Sequence, residues 1–157
     1  MLEWLEYTSL SIWVAESIWG YPIMLSLHII GLAVVVGIFT VYNFRLLGLF
    51  NSLEFEPFLD FFRLAWLGLL VNFVSGFTLF SSQATFYVTN IPFLVKIFSI
   101  IAGSLLAFKI QLRLQSNLNA WDERTAQPNK KDHSFALISM ALWTSAIFGG
   151  RLIAYQL

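Results

Sequence analysis

Long apolar stretches separated by short polar breaks set the pattern of this chain. Between Glu16 and Arg45 the only strongly ionisable side chain is His28, so positions 18–44 can cross a bilayer core. Such a core is about 30 Å thick and needs about 20 apolar residues. Between Arg63 and Lys96 no charged residue occurs. That stretch is too long for one span, and it breaks at Ser81-Ser82-Gln83 and at Asn90-Ile91-Pro92. The pattern therefore predicts a second span over 61–80 and a third over 91–110, with Pro92 in its first turn, where proline is tolerated. A fourth covers 134–155. The expected fold is all-α, one transmembrane domain built as a four-helix bundle. Ahead of it, Leu2, Leu5, Leu10, Trp13 and Ile18 with Trp4 and Trp19 predict a short interfacial segment, because tryptophan favours the headgroup level. Simple anchoring is the plain reading of that segment.

Composition agrees with the pattern. Hydrophobic residues make up 58% of the 157 residues and charged ones 11%, against roughly 45–50% and about 25% in soluble domains. Net charge is zero, so nothing points to nucleic acid; the surrounding partner is lipid. The absence of cysteine excludes disulfides, thiolate metal sites and iron–sulfur clusters. Charge distribution orients the bundle. Arg45 and Arg63 flank the first connection; Lys109, Arg113, Arg124, Lys130 and Lys131 mark the third; the second, from Ser81 to Asn90, has none. The first twenty residues carry Glu3, Glu6 and Glu16 but no Lys or Arg, which also argues against a secretory signal peptide. The positive-inside rule then places the first and third connections in the cytoplasm and both termini outside, in a bacterial inner membrane. Residues 117–131 form a polar loop. No hydrolase, kinase or nucleotide-binding signature occurs, and Glu54/Glu56 and Asp122/Glu123 read as solvated surface charges.

Ionisable residues inside a membrane mark function by default. His28, Lys96 and Arg151 are the candidates, with Asn72 a weaker fourth. At 1.5 Å of rise per residue His28 lies roughly 13 Å inside the outer boundary, and Lys96 and Arg151 each about 7 Å. A b-type haem fits that arrangement: an imidazole for the iron and two cations for the propionates at an aqueous edge. On this reading His28 is the metal ligand, Lys96 and Arg151 hold the propionates, and Gly31 lets a flat ring approach helix one. Met24, Leu25, Leu32 and Val35 would pack on the macrocycle. Glu16, near the same boundary, could neutralise one cation. The bland readings stand beside it. His28 can be a buried hydrogen-bonding residue, to Asn72 or a neighbouring serine, or a proton carrier. Lys96 and Arg151 can snorkel to the headgroups. The small residues around Asn72 (Gly68, Ser75, Gly76), Gly103 and Gly149-Gly150 read as close helix packing, within one chain or between copies in a homo-oligomer. His133, beside Asp132, reads as a solvated helix start some 15–20 Å from His28 along the membrane normal.

Four stretches carry a resemblance: Tyr21-Pro22 with His28-Ile29-Ile30-Gly31-Leu32; Phe44-Arg45-Leu46-Leu47-Gly48; Phe93 to Lys96; and Trp143 with Gly150-Arg151-Leu152-Ile153-Ala154-Tyr155. In these the chain resembles an uncharacterised family of small bacterial four-helix inner-membrane proteins. The resemblance implies the four-helix architecture and importance for His28, Lys96 and Arg151, and no established activity. The family pattern has a histidine near the end of helix three, where this chain has Lys109. Two function classes follow. One is a membrane haem protein for electron transfer or for binding or sensing a small redox ligand. The other is a non-redox oligomeric channel, transporter or accessory subunit.

Overall fold

A computed structural model of the chain describes residues 2–50, 52–116 and 130–155. Among them seven α-helices follow one another: α1 (Glu3–Glu6), α2 (Ser9–Glu16), α3 (Gly20–Leu46), α4 (Phe58–Ser81), α5 (Ala84–Thr89), α6 (Ile91–Ser116) and α7 (Lys130–Leu152). A 3₁₀ turn, Ile153–Tyr155, extends α7. No strand occurs among the described residues. α3, α4, α6 and α7 are each long and apolar enough to cross a bilayer, and they form the expected all-α membrane bundle. Most of the expected polar loop, 117–129, lies outside the described residues, as do Gln156 and Leu157. The two polar breaks fall where α4 ends and α6 begins, but the connection between them contains α5. The N-terminal segment is two helices, α1 and α2.

Local chemistry sets the helix ends. α3 stops at a left-handed glycine: Gly48 has φ 82°, and its N–H donates to the Arg45 carbonyl at 3.1 Å while that of Leu49 donates to Phe44 at 3.0 Å. This paired arrangement satisfies carbonyls that the helix leaves open. Arg45 itself is buried, with Nε donating to the Leu53 carbonyl and the guanidinium 4.5 Å from the centre of the Phe55 ring. It fastens the α3–α4 connection. At the N-terminus, the Thr8 hydroxyl caps α2 by accepting from the N–H of Ser11.

Around the bundle the order is α4, α3, α7, α6. Contacts are densest between α3 and α4 and between α6 and α7, and α3 joins the two pairs through α7. α4 and α6 meet little, leaving a seam between them. The α3–α4 crossing is close because glycines meet there: a Cβ on Gly31 would stand 2.7 Å from the Gly68 carbonyl oxygen. An aromatic cluster fills the end of the bundle that carries Arg45, Arg63, Arg113, Lys130 and Lys131, hereafter the basic end. There Tyr42 packs edge-on against Phe58 and Phe62, and Phe39 stacks on Trp143 at 5.3 Å.

Candidate functional site

His28 occupies the third turn of α3 and faces α4. A glycine makes its place: a Cβ on Gly76 would lie 2.9 Å from Cε1 of the imidazole. Asn72, one turn away on α4, binds His28 twice. Its side-chain Nδ2 donates to the His28 carbonyl at 2.8 Å, and its own backbone carbonyl lies 3.1 Å from Nδ1. A carbonyl only accepts, so Nδ1 carries the proton and donates. The Ser75 hydroxyl lies 3.4 Å from the same nitrogen. Nε2 is therefore left with its lone pair, and it faces Lys96, whose Nζ is 3.1 Å away.

Lys96 reaches that position along α7. A Cβ on Gly149 would meet Lys96 Cβ at 3.3 Å, and one on Gly150 would meet Cδ at 3.5 Å. The two glycines form a groove for the aliphatic stem, which aims the amine back across the bundle. Three helices thus bring together two nitrogen groups that lie 68 positions apart in the chain.

Both side chains line a cavity of about 710 Å³ in the α4–α6 seam. Its walls are apolar, formed by residues such as Leu69, Phe73, Phe77, Ile97 and Ile100. Phe80 and Phe93 stack at 5.5 Å and close it at one end. Trp66 closes the other, with Nε1 donating to Gln111 at 2.6 Å across the seam. Phe73 and Ile101 are more than half exposed, so the seam opens on the outer surface of the bundle. The volume falls in the range of cofactor and ligand sites, roughly 300–1,000 Å³.

The other expected site residues are elsewhere. Gly31 is buried against the backbone of Gly68 and Asn72, so its missing side chain serves the helix crossing and offers no room to a flat ring. Arg151 is exposed in the last turn of α7 and does not line the cavity. Met24, Leu25, Leu32 and Val35 are also off its wall, because the open side of His28 faces α4 and α6. Glu16 is exposed at the end of α2 and pairs with neither cation. His133 sits in the first turn of α7. Measured from the level where Asn43 bonds Ser139, it lies about 30 Å from His28 along the bundle by helical rise, farther than expected. Among the described residues no three His, Cys, Asp or Glu side chains come together as metal ligands. A single imidazole is what this site can give a metal. The chain matches no protein-family model, no curated protein and no solved structure.

Proposed function

We propose that this protein is a membrane haem protein of the b type, serving electron transfer or the binding of a small redox ligand, with His28 as axial ligand. The observation that carries the reading is the fixed tautomer: Nδ1 is held by the Asn72 carbonyl, which leaves the lone pair on Nε2, at the cavity wall and facing Lys96 Nζ. Metal-bound histidines are oriented in this way, through a carbonyl or carboxylate on the second nitrogen. Haem supplies its own ring of nitrogen ligands and needs one more from the protein, which matches the single imidazole. When bound, it would supply one-electron chemistry.

The residues around it have defined tasks. Asn72, Ser75 and Gly76 orient the imidazole. The phenylalanine walls exclude water. Lys96 now occupies the position in front of Nε2; the Gly149–Gly150 groove holds its stem, and rotation of the terminal amine alone would free Nε2 and let the amine neutralise a carboxylate at the ligand's edge. The basic end lies in the cytoplasm and both termini outside, in a bacterial inner membrane, supported by the lysine and arginine distribution. Association into a homo-oligomer belongs to the same proposal, supported by the exposed tryptophans of α1 and α2.

The test is a spectrum. Protein expressed with added haem should show a Soret band, His28→Ala should lose it, and His133→Ala should keep it. Colourless, folded wild-type protein would sink the proposal and favour the non-redox class. A folded His28→Ala protein with an unchanged spectrum would overturn the ligand assignment alone.

A further inference from the structure

Among the described residues four buried polar side-chain atoms have no hydrogen-bond partner, one of them Oγ of Ser104 on the cavity wall. The other three lie deep in the bundle: the Tyr42 hydroxyl, Oδ1 of Asn43 and Nε1 of Trp143. Their residues are 1%, 1% and 3% exposed. A polar group left unbonded in a protein interior is destabilising, and lipid offers nothing to relieve it. All three residues lie on or beside the α3–α7 seam, which is polar from both sides. Asn43 Nδ2 donates to the Ser139 hydroxyl at 3.0 Å. Phe39, one turn from Asn43, stacks on Trp143, one turn from Ser139, so the two helices run in register. Trp143 is therefore one helical turn, about 6 Å of rise, from Ser139.

The α7 side of the seam runs toward the basic end. Asp132, Ala136, Ser139 and Trp143 share one face of α7 at three- and four-residue spacing. Asp132 is half-buried in the first turn of α7, at the basic end. Ala136, buried between Asp132 and Ser139, is small.

We infer that the α3–α7 seam binds a short file of internal water, admitted at the basic end past Asp132 and Tyr42 and reaching Trp143. The donor set identifies the ligand. An indole N–H only donates and an amide oxygen only accepts, so the bound species must both accept and donate. A metal ion cannot take the N–H, and an anion cannot serve the amide oxygen. Trp143 marks the inner limit: its Nε1 lies 3.6 Å from where a Cβ on Gly103 would stand, and the next residue, Ser104, lines the cavity. Water thus comes within one helix wall of the cavity, from the end opposite the Phe80–Phe93 closure. A proton taken up or released in the cavity would have a short route to the basic-end solvent. The inference holds whichever ligand the cavity takes.

The test follows the indole proton. Full-length protein with ¹⁵N-labelled tryptophan, in lipid nanodiscs, is moved into D₂O, and the Trp143 signal is assigned by its contact with the Phe39 ring. The Trp143 N–H should show a direct cross-peak to water and exchange within minutes. Asn43→Leu should slow that exchange at least tenfold, and Asp132→Leu carries the same reading if the first variant does not fold. A Trp143 proton that persists for hours after that of Trp19 has vanished overturns the inference. So does an exchange rate unchanged in the folded variant.

Discussion

At the scale of single residues, the chain places one imidazole and one amine in contact and leaves a third charged candidate outside. Lys96 and Arg151 gave the same signal in sequence, a cation near the end of a span. They differ in helix rotation: Gly149 and Gly150 hold the lysine stem in a groove, while Arg151 projects from the exposed side of α7. Period alone does not fix that rotation, because α3, α6 and α7 are apolar nearly all round and packing decides which face turns inward. His28 and Lys96 were legible because a titratable group in apolar sequence has few innocent explanations. The role of Gly31 was not, since a glycine near a histidine suits a ligand and a helix crossing alike. The two cations should separate in experiment. Lys96→Leu removes a charge-assisted partner worth about 1.5–3 kcal/mol and a competitor for Nε2 worth about 0.5–1.5 kcal/mol. The first is larger, so haem retention should weaken by roughly fivefold, about 1 kcal/mol. Arg151→Leu should leave retention within twofold. Haem titration of both variants checks this, and equal losses would return Arg151 to the site.

Helices and their connections were legible by length. The four spans are long apolar runs with clear polar breaks, whereas α5 has six residues, too few for any period to show, and its existence depends on tertiary contacts. One of these is the Glu6 carboxylate, which accepts from the N–H of Thr85 at 2.7 Å and ties α1 to α5. That hydrogen bond holds the Glu6 carboxyl below the ordinary carboxylate range. A group whose value is depressed by folding adds stability above its unfolded value, and this is lost as pH falls through the folded one. The tie should therefore hold at neutral pH and release in acid. Hydrogen exchange of the α5 amides, corrected for intrinsic rate, should rise below the carboxylate range in the wild type. In Glu6→Gln that step should be absent. The α3–α4 crossing gives a sharper test. A methyl on Gly31 meets backbone at 2.7 and 2.9 Å, which cannot yield without separating the helices, while one on Gly37 meets nothing within 4 Å. Gly31→Ala should lose about 1–3 kcal/mol, the range for overpacking, and Gly37→Ala should lose none. Thermal unfolding in one detergent compares them, and equal stabilities would contradict the close crossing.

For the whole molecule, the charge pattern predicts that an alkaline phosphatase fused after Leu157 is active and a cytoplasmic reporter there is silent; the reverse would invert the bundle. The association between copies expected from the small-residue faces has a narrower basis in the structure. Gly68, Gly76, Gly149 and Gly150 are all occupied by contacts within one chain. Native mass spectrometry in several mild detergents should still find a homo-oligomer held through α1 and α2, and deleting residues 2–16 should release single chains. A monodisperse single chain in every detergent would end that expectation. The order of helices around the bundle has a consequence for biogenesis. α3 with α4 and α6 with α7 are two hairpins, each packed most tightly within itself, so each can enter the bilayer as a unit while the chain is being made. His28 arrives on the first and Lys96 on the second. Until the hairpins dock, the lysine has no imidazole to face and lies against lipid. A half-assembled protein would therefore display an unpartnered amine in the bilayer, which a membrane protease or chaperone could recognise, and completion of the site would give it the imidazole as partner.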